Sequence, residues 1–415
     1  MKIRKRGGIL NSLLYILLLP VYLLGKVFPR DPNLFAFGSG HGNFWMDNSK
    51  YFFLYCSQNL KSTKCVFFCR DKEVVRQLNQ AGYESYYTYS ARGIITALRA
   101  GKCFISHSTH DINALLIGGA EKIQLWHGTP LKLICYDVLA LSTGFGQTLK
   151  NRLKRILFTL FPYLNTGLVY DKITISSDFV KASFLSAFRA KNENIVITGQ
   201  PRNDALSDDY IFDQQLFPEI AHLERLRHEY QHVITWMPTH RLRSGRGTVG
   251  LLDNFAFDLE SLQQLFQQHG ATLVVKVHFL DSPDLKRRFE GCSGIKVYPF
   301  ADPYPLLRYT DILISDYSSV VFDYLLLDRP IIFTPFDYEE YTQSDAPFYY
   351  NYQSVAPGRH CRNWPEVLDA LHYHLTCHEN GETDSYHERR AAICRQFNMF
   401  SDGFSSRVVA SIFGR

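Results

Sequence analysis

The sequence predicts an α/β protein of two doubly wound parallel-sheet domains with a cleft between them. Short apolar runs without polar alternation, such as residues 65–69 (CVFFC), are typical of strands that are buried on both faces of a parallel sheet. Segments with helical spacing lie between these runs, and several of them end at a glycine, such as Gly82. The chain has 415 residues, which is too long for one ordinary core and fits two domains of about 200 residues each.

The first half of the chain alternates strand and helix from residue 31 onward. Strands are predicted within residues 34–37, 65–69, 103–107, 123–126, 173–177 and 194–204. Helices are predicted at residues 47–58, 72–82 and 91–101, where apolar residues recur with a helical period. Because each helix leads from one strand to the next, this half is expected to form one parallel sheet with helices on both faces.

A second series of strands and helices follows a polar segment at residues 207–231. Its strands are predicted within residues 232–240, 272–278, 295–300, 312–319 and 330–337, with a helix at 320–327 and a helical tail at 387–415. The predicted divisions are a basic and apolar segment at 1–30, one Rossmann-like domain at 31–205, a second at 206–385 and the tail at 386–415. In open parallel sheets, ligands bind at the carboxyl ends of the strands, so a ligand cleft is expected between the two domains.

The N-terminal 30 residues differ from the rest of the chain. Basic residues at positions 2, 4, 5 and 6 precede an apolar run at residues 9–27. A signal peptide would need a small-residue cleavage site, which this run lacks, and Asn11, Ser12 and Pro20 interrupt a membrane span. We favour a membrane-associated helix with its basic end at an anionic lipid surface, and a buried core helix is the alternative.

Residues 147–164 are also both basic and apolar. On a helix, one face would carry the apolar residues Leu149, Leu153, Ile156, Leu157 and Leu160, and the basic residues Lys150, Lys154 and Arg155 would lie off that face. This spacing fits a helix on a membrane surface, and a helix whose apolar face packs on the core fits it as well.

The composition and the missing motifs exclude several classes of function. The net charge of +5 is mildly basic, and no nucleic-acid-binding signature accompanies it, so no nucleic-acid partner is expected. The nine cysteines contain no CxxC and no zinc-ligand spacing, which indicates reduced thiols. The sequence has no nucleophile elbow and no Walker A loop, and GSGHGN does not have the glycine spacing that dinucleotide binding needs.

Polar residues stand at the ends of the predicted strands. His127 and His278 are candidates for proton transfer, although a single histidine is more often structural. Two anion sites are expected: one where Gly128 and Thr129 combine with Lys132, and one where Ser318 and Ser319 precede a helix, although these serines could also be simple caps. Two arginines at strand ends, Arg202 and Arg241, would add charge-assisted hydrogen bonds to a phosphate.

Five segments together resemble one enzyme family. They are WHGTPLK, GQPRND, MPTH, VKVH and SDYSSVVFDYLLLDRPIIFTPFDYEEY, and the resemblance spans about residues 35–345. The family is that of the CDP-glycerol glycerophosphotransferases, the primases and polymerases of teichoic acids, with related enzymes of capsule synthesis. The resemblance implies a GT-B-like fold with an acceptor domain followed by a CDP-donor domain. It also implies peripheral attachment to the cytoplasmic face of the bacterial membrane.

The resemblance implies transfer of glycerol phosphate from CDP-glycerol to a hydroxyl of a lipid-linked or polymeric acceptor, with release of CMP. The two histidines of the family's active site correspond to His127 and His278, and its serine-rich phosphate turn corresponds to Ser318 and Ser319. We take His127 as the general base, and expect His278, Arg202 and the two serines at the pyrophosphate. Further donor contacts are expected from residues of the same motifs, Gly128, Thr129, Lys132, Asn203, Thr239, Arg241, Asp316 and Asp323.

The chain departs from the family pattern at two places. His240 stands where the family often has an aromatic residue, and Ser106-His107 stands where it often has an asparagine pair. Transfer of ribitol phosphate or another polyol phosphate, a sugar-nucleotide glycosyltransferase and an inactive membrane-bound scaffold therefore stay open as alternatives. No cofactor is expected, and a loosely bound Mg²⁺ on the pyrophosphate would leave no motif. The sequence does not indicate an oligomeric state.

Overall fold

The computed structural model describes residues 8–140, 149, 152–153, 156–157, 160–164, 170–239, 241, 247–277, 282–344 and 347–413. Within them lie two parallel sheets, and the prediction of two doubly wound α/β units is confirmed. All nine cysteines belong to the described residues, and each is a free thiol.

The first sheet has seven strands. They are β1 (Asp31–Gly38), β2 (Lys64–Cys69), β3 (Ser85–Tyr87), β4 (Ala100–Ile105), β5 (Glu121–Gln124), β6 (Lys172–Ile175) and β7 (Ile195–Ile197). Their order is β3-β2-β1-β4-β5-β6-β7, with parallel pairing throughout. β1 lies in the interior of the sheet, and its Phe35 and Phe37 are buried because helices cover both faces. The strand order reverses between β1 and β4, which places a ligand crevice at their carboxyl ends.

The second sheet has six strands. They are β8 (His232–Met237), β9 (Ala271–Val275), β10 (Ile295–Val297), β11 (Ile312–Ser315), β12 (Ile331–Phe333) and β13 (Arg359–His360). The order is β10-β9-β8-β11-β12-β13, again with parallel pairing. Here the order reverses between β8 and β11, so the second crevice lies beyond Met237 and Ser315.

One helix precedes the first strand, and the others lie between the strands and after the last one. In chain order they are Gly8–Val27, Asp47–Asn59, Lys72–Gln80, Ala91–Arg99, Cys135–Ala140, Lys181–Phe188, Glu219–Glu229, Gly250–Asp253, Leu259–His269, Ser282–Arg288, Tyr304–Tyr309, Val320–Tyr324, Tyr338–Ser344, Tyr352–Val355, Trp364–Asn380, His387–Phe397 and Phe404–Phe413. Side-chain caps define several starts; the Asp71 carboxylate, for example, accepts the Glu73 N–H at 2.8 Å.

Four elements differ from the sequence predictions. The short strands β3 and β13 were not predicted, because three and two residues give no usable periodicity. The helix expected at 320–327 is an α-helix only over Val320–Tyr324 and continues as a 3₁₀ turn. The tail contains two helices rather than one, and its Phe397 stacks on Phe322 at a ring-centroid distance of 4.1 Å.

Buried polar contacts fasten the two sheet units to each other. The Lys50 ammonium lies 2.8 Å from an Asp302 carboxylate oxygen, and the Tyr51 hydroxyl donates to the same oxygen at 2.7 Å. Both partners of the ion pair are almost fully buried. Because a buried charge is costly without its partner, these contacts fix how the units approach at the cleft.

The N-terminal helix, Gly8–Val27, packs on the first unit through its last turns. A Cβ at Gly25 would lie 2.3 Å from the Leu115 carbonyl oxygen, so only glycine permits this close approach. Leu17, Leu24 and Val27 stay exposed on the opposite side. Within the described part of the chain, no helix has both the length and the apolar character that crossing a membrane requires.

Candidate active site

A cavity of about 580 Å³ lies between the carboxyl edges of the two sheets. Loops from both units contribute to its wall, as the strand-order reversals indicate. Its polar lining residues are His41, Asp47, His107, His127, Lys132, Arg202, Thr239, Lys276, Tyr304, Ser318 and Ser319. A cavity of this size falls in the range that is usual for small-molecule sites.

His127 follows β5 and is directed into the cavity by the turn before it. The strand ends at Gln124, earlier than predicted, and Trp126 has a left-handed φ of 57°. The Asn48 amide holds this turn by donating to the carbonyl oxygens of Leu125 and Trp126, both at 2.9 Å. The turn therefore has a fixed shape, and His127 lines the cavity.

The His127 ring is oriented by one hydrogen bond and one stacking contact. Its Nδ1 lies 2.9 Å from the Ser106 carbonyl oxygen, so Nδ1 carries the proton and Nε2 is left as an acceptor. The ring stacks on His107 with centroids 4.1 Å apart and planes 7° from parallel. Burial lowers the pKa of His127 to about 4, and the positive charge of Arg202 acts in the same direction. The imidazole is thus neutral at neutral pH.

Two further histidines stand beside His127 and were not predicted as site residues. His107 follows β4, and its Nδ1 accepts the Gly40 N–H at 3.1 Å. His41 follows β1 with a left-handed φ of 55°, and its Nδ1 lies 3.0 Å from the Ser108 hydroxyl. The sequence shows these histidines only as isolated residues, and the strand-order reversal brings their loops together.

Gly128, in the first unit, lies against the serine turn (Ser318 and Ser319) of the second unit. Its φ is 148°, and a Cβ there would lie 2.6 Å from the Ser319 hydroxyl oxygen. Ser318 and Ser319 both line the cavity, as predicted from their motif. The expected side-chain cap is formed by Ser318, whose hydroxyl accepts the Val320 N–H at 3.4 Å, and not by Ser319.

Thr239 and Lys276 approach the cavity from the second sheet. The Thr239 backbone N–H donates to Asp316, while its buried hydroxyl has no partner among the described residues. Lys276, which was not predicted as a site residue, follows β9, and burial lowers the pKa of its ammonium. Lys132 also lines the cavity, and its ammonium donates to the Tyr341 hydroxyl at 3.2 Å.

Arg202 lines the cavity, but its guanidinium already forms ion pairs with two carboxylates. Nη2 donates to Asp323 at 2.7 Å, and Nη1 lies 3.3 Å from Asp47. Asp323 and Asn203, which were expected to contact the donor, are not among the residues that line the cavity. Asp323 is fully buried and also accepts bonds from Asn203 and the Tyr304 hydroxyl, so both residues hold Arg202 in place.

Three more residues that were predicted as donor contacts are engaged in buried hydrogen bonds beside the cavity. Arg241 is buried between Asp316 and Asp337, with two bonds of 3.0 and 2.9 Å to Asp337, and it does not line the cavity. Asp316 organises the adjoining loops, because its carboxylate forms an ion pair with Arg241 and accepts a hydrogen bond from the Thr239 N–H. The Thr129 hydroxyl is buried and bonded to Ser176 and Gln200.

Two positions of interest lie outside the described residues: the predicted second histidine, His278, and His240. The described part of the chain contains no group of three or more His, Cys, Asp or Glu side chains arranged to hold a metal ion.

Comparisons with known proteins match the whole chain. A family model described as CDP-glycerol:poly(glycerophosphate) glycerophosphotransferase matches residues 21–414. A teichoic acid glycerol-phosphate transferase of Staphylococcus aureus (strain NCTC 8325 / PS 47) is 26% identical over 408 residues, which are 95% of this chain and 96% of the relative. The teichoic acid ribitol-phosphate polymerase TarL of the same strain is 30% identical over 306 residues, 71% of this chain and 48% of TarL.

A solved structure of the wall teichoic acid polymerase TagF has the same fold. The TM-score is 0.69 with 21% sequence identity, and the match covers 97% of this chain and 95% of that one. The likeness confirms the GT-B-like arrangement of two Rossmann-like units.

Proposed function

The chain belongs to the CDP-glycerol:poly(glycerophosphate) glycerophosphotransferase family, and we propose that His127 is the general base of its reaction. The reaction is transfer of glycerol phosphate from CDP-glycerol to a hydroxyl of a teichoic-acid-like acceptor. A single observation supports the proposal most directly: a neutral histidine, fixed through Nδ1, lines the cavity between the two sheets. Its Nε2 has no protein partner among the described residues and is free to accept a proton.

The chemical step is a displacement at the phosphorus that carries the glycerol group. The acceptor oxygen forms a bond to this phosphorus as its proton passes to Nε2 of His127. The bond between the phosphorus and the bridging oxygen breaks, and CMP leaves with both electrons of that bond. We assign charge stabilisation at the pyrophosphate to Lys276, the Thr239 hydroxyl and the serine turn, because these groups face His127 from the second sheet.

The pKa of about 4 makes His127 a weak base while the cleft is empty. Both substrates carry phosphate charges, and an anion near the imidazole favours its protonated form. Binding of donor and acceptor therefore raises the pKa of His127 toward neutrality, which is the range where proton transfer is most effective.

The test is nucleotide release by the wild-type protein and by His127→Ala, each with CDP-glycerol, CDP-ribitol and UDP-glucose in turn. We expect CMP from CDP-glycerol and a loss of about 10²–10⁴-fold in His127→Ala, with CDP-glycerol binding retained. The exposed His228→Ala variant is the matched control. More than about a tenth of the wild-type rate in His127→Ala would disprove the base role. CMP from CDP-ribitol alone would correct the donor, and UDP from UDP-glucose would favour a glycosyltransferase.

We also propose that the protein attaches peripherally to the cytoplasmic face of the membrane. In the helix Gly8–Val27, Tyr22 packs against Tyr163 with ring centroids 5.4 Å apart. In the segment that precedes Tyr163, four apolar side chains at helical spacing are each more than half exposed: Leu149, Leu153, Ile156 and Leu160. An apolar face of this kind, beside basic residues, is typical of interfacial helices.

Vesicle binding tests the attachment. A variant with Leu153→Ser and Leu160→Ser should co-sediment less with phosphatidylglycerol-containing vesicles than the wild type does, because less apolar area enters the interface. The control is Ile211→Ser, which removes a 91% exposed apolar side chain from another segment. Equal sedimentation of all three proteins would contradict the proposal.

A further inference from the structure

Arg70 is a cation with no carboxylate partner among the described residues. It follows β2, at the same sheet edge as the loops that carry His41 and His127. Its Nη2 donates to the His110 carbonyl oxygen at 3.2 Å, and its buried Nε has no partner. The guanidinium lies 5.5 Å from the Tyr89 ring centroid. A partly buried arginine held in this way retains donors for an anion.

A row of imidazoles connects His127 to the surroundings of Arg70. The His107 ring lies 4.1 Å from the His127 ring, and the His41 ring lies 5.4 Å from the His107 ring. A Cβ at Gly42, the residue after His41, would lie 3.1 Å from Arg70 Nε. Burial lowers the pKa of both His41 and His110, and the positive charge of Arg70 acts in the same direction.

From this geometry we propose that Arg70 and His41 form a subsite for a phosphate diester of the acceptor, one glycerol unit away from the attacked hydroxyl. The inference rests on the proposed function, since it places the acceptor hydroxyl at His127. The carbon chain of one glycerol separates that hydroxyl from the preceding phosphate, and the ring centroids of His127, His107 and His41 follow one another at 4.1 and 5.4 Å toward the loop that contacts Arg70.

Arg70 and His41 belong to the first unit, and this position favours the acceptor over the donor as the source of the bound phosphate. The groups assigned to the donor pyrophosphate, Lys276, Thr239 and the serine turn, stand at the edge of the second sheet. Arg70 and His41 stand at the edge of the first sheet. His41 Nε2 has no partner among the described residues and is exposed, so it could donate or accept at such a phosphate.

The experiment compares two acceptors that differ only in the phosphate, a dodecyl phosphoglycerol and the corresponding dodecyl glycerol ether. CDP-glycerol is the donor, and CMP release gives kcat/KM for each acceptor and the KM of the donor. In Arg70→Gln, kcat/KM for the phosphoglycerol should fall about tenfold or more, because a charge-assisted hydrogen bond is lost. The glycerol ether and the donor KM should stay unchanged, and Arg70→Lys should retain part of the activity.

Two further variants keep the test decisive. His41 is exposed, so His41→Gln should fold normally and lower kcat/KM more for the phosphoglycerol than for the glycerol ether. Arg92→Gln is the control, because Arg92 is an exposed arginine 5.5 Å from the ring centroid of another tyrosine, Tyr86. The subsite is disproved if Arg70→Gln slows both acceptors equally, raises only the donor KM or changes nothing. No CMP release by the wild-type protein with either acceptor would instead contradict the proposed function.

Discussion

Replacing Asp323 by alanine should destabilise the contact between the two sheet units more than any exposed ion pair could. The Asp323 side chain is fully buried and accepts bonds of 2.7 Å from Arg202, 2.7 Å from Tyr304 and 3.1 Å from Asn203. Arg202, itself 3% exposed, would be left with Asp47 alone, at 3.3 Å. Breaking a buried pair from one side costs about 3–5 kcal/mol, because the remaining charge has no compensation.

Urea unfolding followed by intrinsic tryptophan fluorescence measures the loss. One apolar cluster, which contains Trp126, runs from the first unit into the second, and Trp236 lies in a cluster that belongs to the second unit alone. A weakened junction should therefore lower the midpoint of unfolding. The control is Asp253→Ala, whose pair with Arg288 is 3.2 Å long with both side chains about half exposed, and which should cost less than about 1 kcal/mol.

A second variant separates charge from packing. In the double variant Arg202→Met with Asp323→Leu, both buried charges are gone, so stability should recover relative to Asp323→Ala, although the arginine side chain no longer lines the cavity. If Asp323→Ala loses no more stability than Asp253→Ala does, the buried pair is not what fastens the units.

Three other predictions test the site and its pH dependence. Gly128→Ala should lower turnover at least about tenfold, since its Cβ would lie 2.6 Å from the Ser319 hydroxyl oxygen. Adding Ser319→Gly to this variant should restore part of the lost turnover, and an unaffected rate in Gly128→Ala would contradict the close approach. The pH profile of kcat/KM should show no acid limb near pH 6.5 and should fall only toward pH 4, where free His127 becomes protonated; a limb near 6.5 would contradict the assignment. His374 is buried, neither ring nitrogen has a partner among the described residues, and burial lowers its pKa to about 4. The unfolded chain therefore takes up a proton at this residue as the pH falls from 6.5 toward 4, while the folded protein does not, and stability is lost. His374→Leu should reduce the loss of unfolding free energy between pH 7 and pH 5 by about 2 kcal/mol, whereas His228→Leu, at an exposed position, should not.

The fold could be predicted wherever a strand is long and buried on both faces. Residues 65–69 and 271–275 carry this signal, because covering helices demand apolar side chains at every position. β13 contains only Arg359 and His360, and its place at the sheet edge is decided by pairing with β12. Such a short polar edge strand is determined by tertiary contacts that no local pattern expresses.

Only those residues of the candidate site that directly follow an apolar strand could be predicted from the sequence. His127 and the serine turn were found because a polar motif follows an apolar strand, which is a local signal. His41 was missed because its orientation depends on a left-handed turn and on a loop about 70 residues away. The buried ion pairs of Arg241 could not be predicted, because a sequence does not reveal that Asp316 and Asp337 meet it from 75 and 96 residues away.

The buried arginines change how the electrostatics of the cleft should be understood. Arg202 is held by two carboxylates, so its charge is a fixed part of the field at the site and not a free phosphate ligand. That field helps to keep His127 neutral in the empty cleft, while the Lys276 ammonium, which has no ion-pair partner among the described residues, is left for the incoming anion. The negative charge of the bound donor then opposes the field of Arg202 at His127, and the pKa of the imidazole rises. The base is therefore weakest when the cleft is empty and strongest when both substrates are bound, which limits proton uptake to the complex that can react.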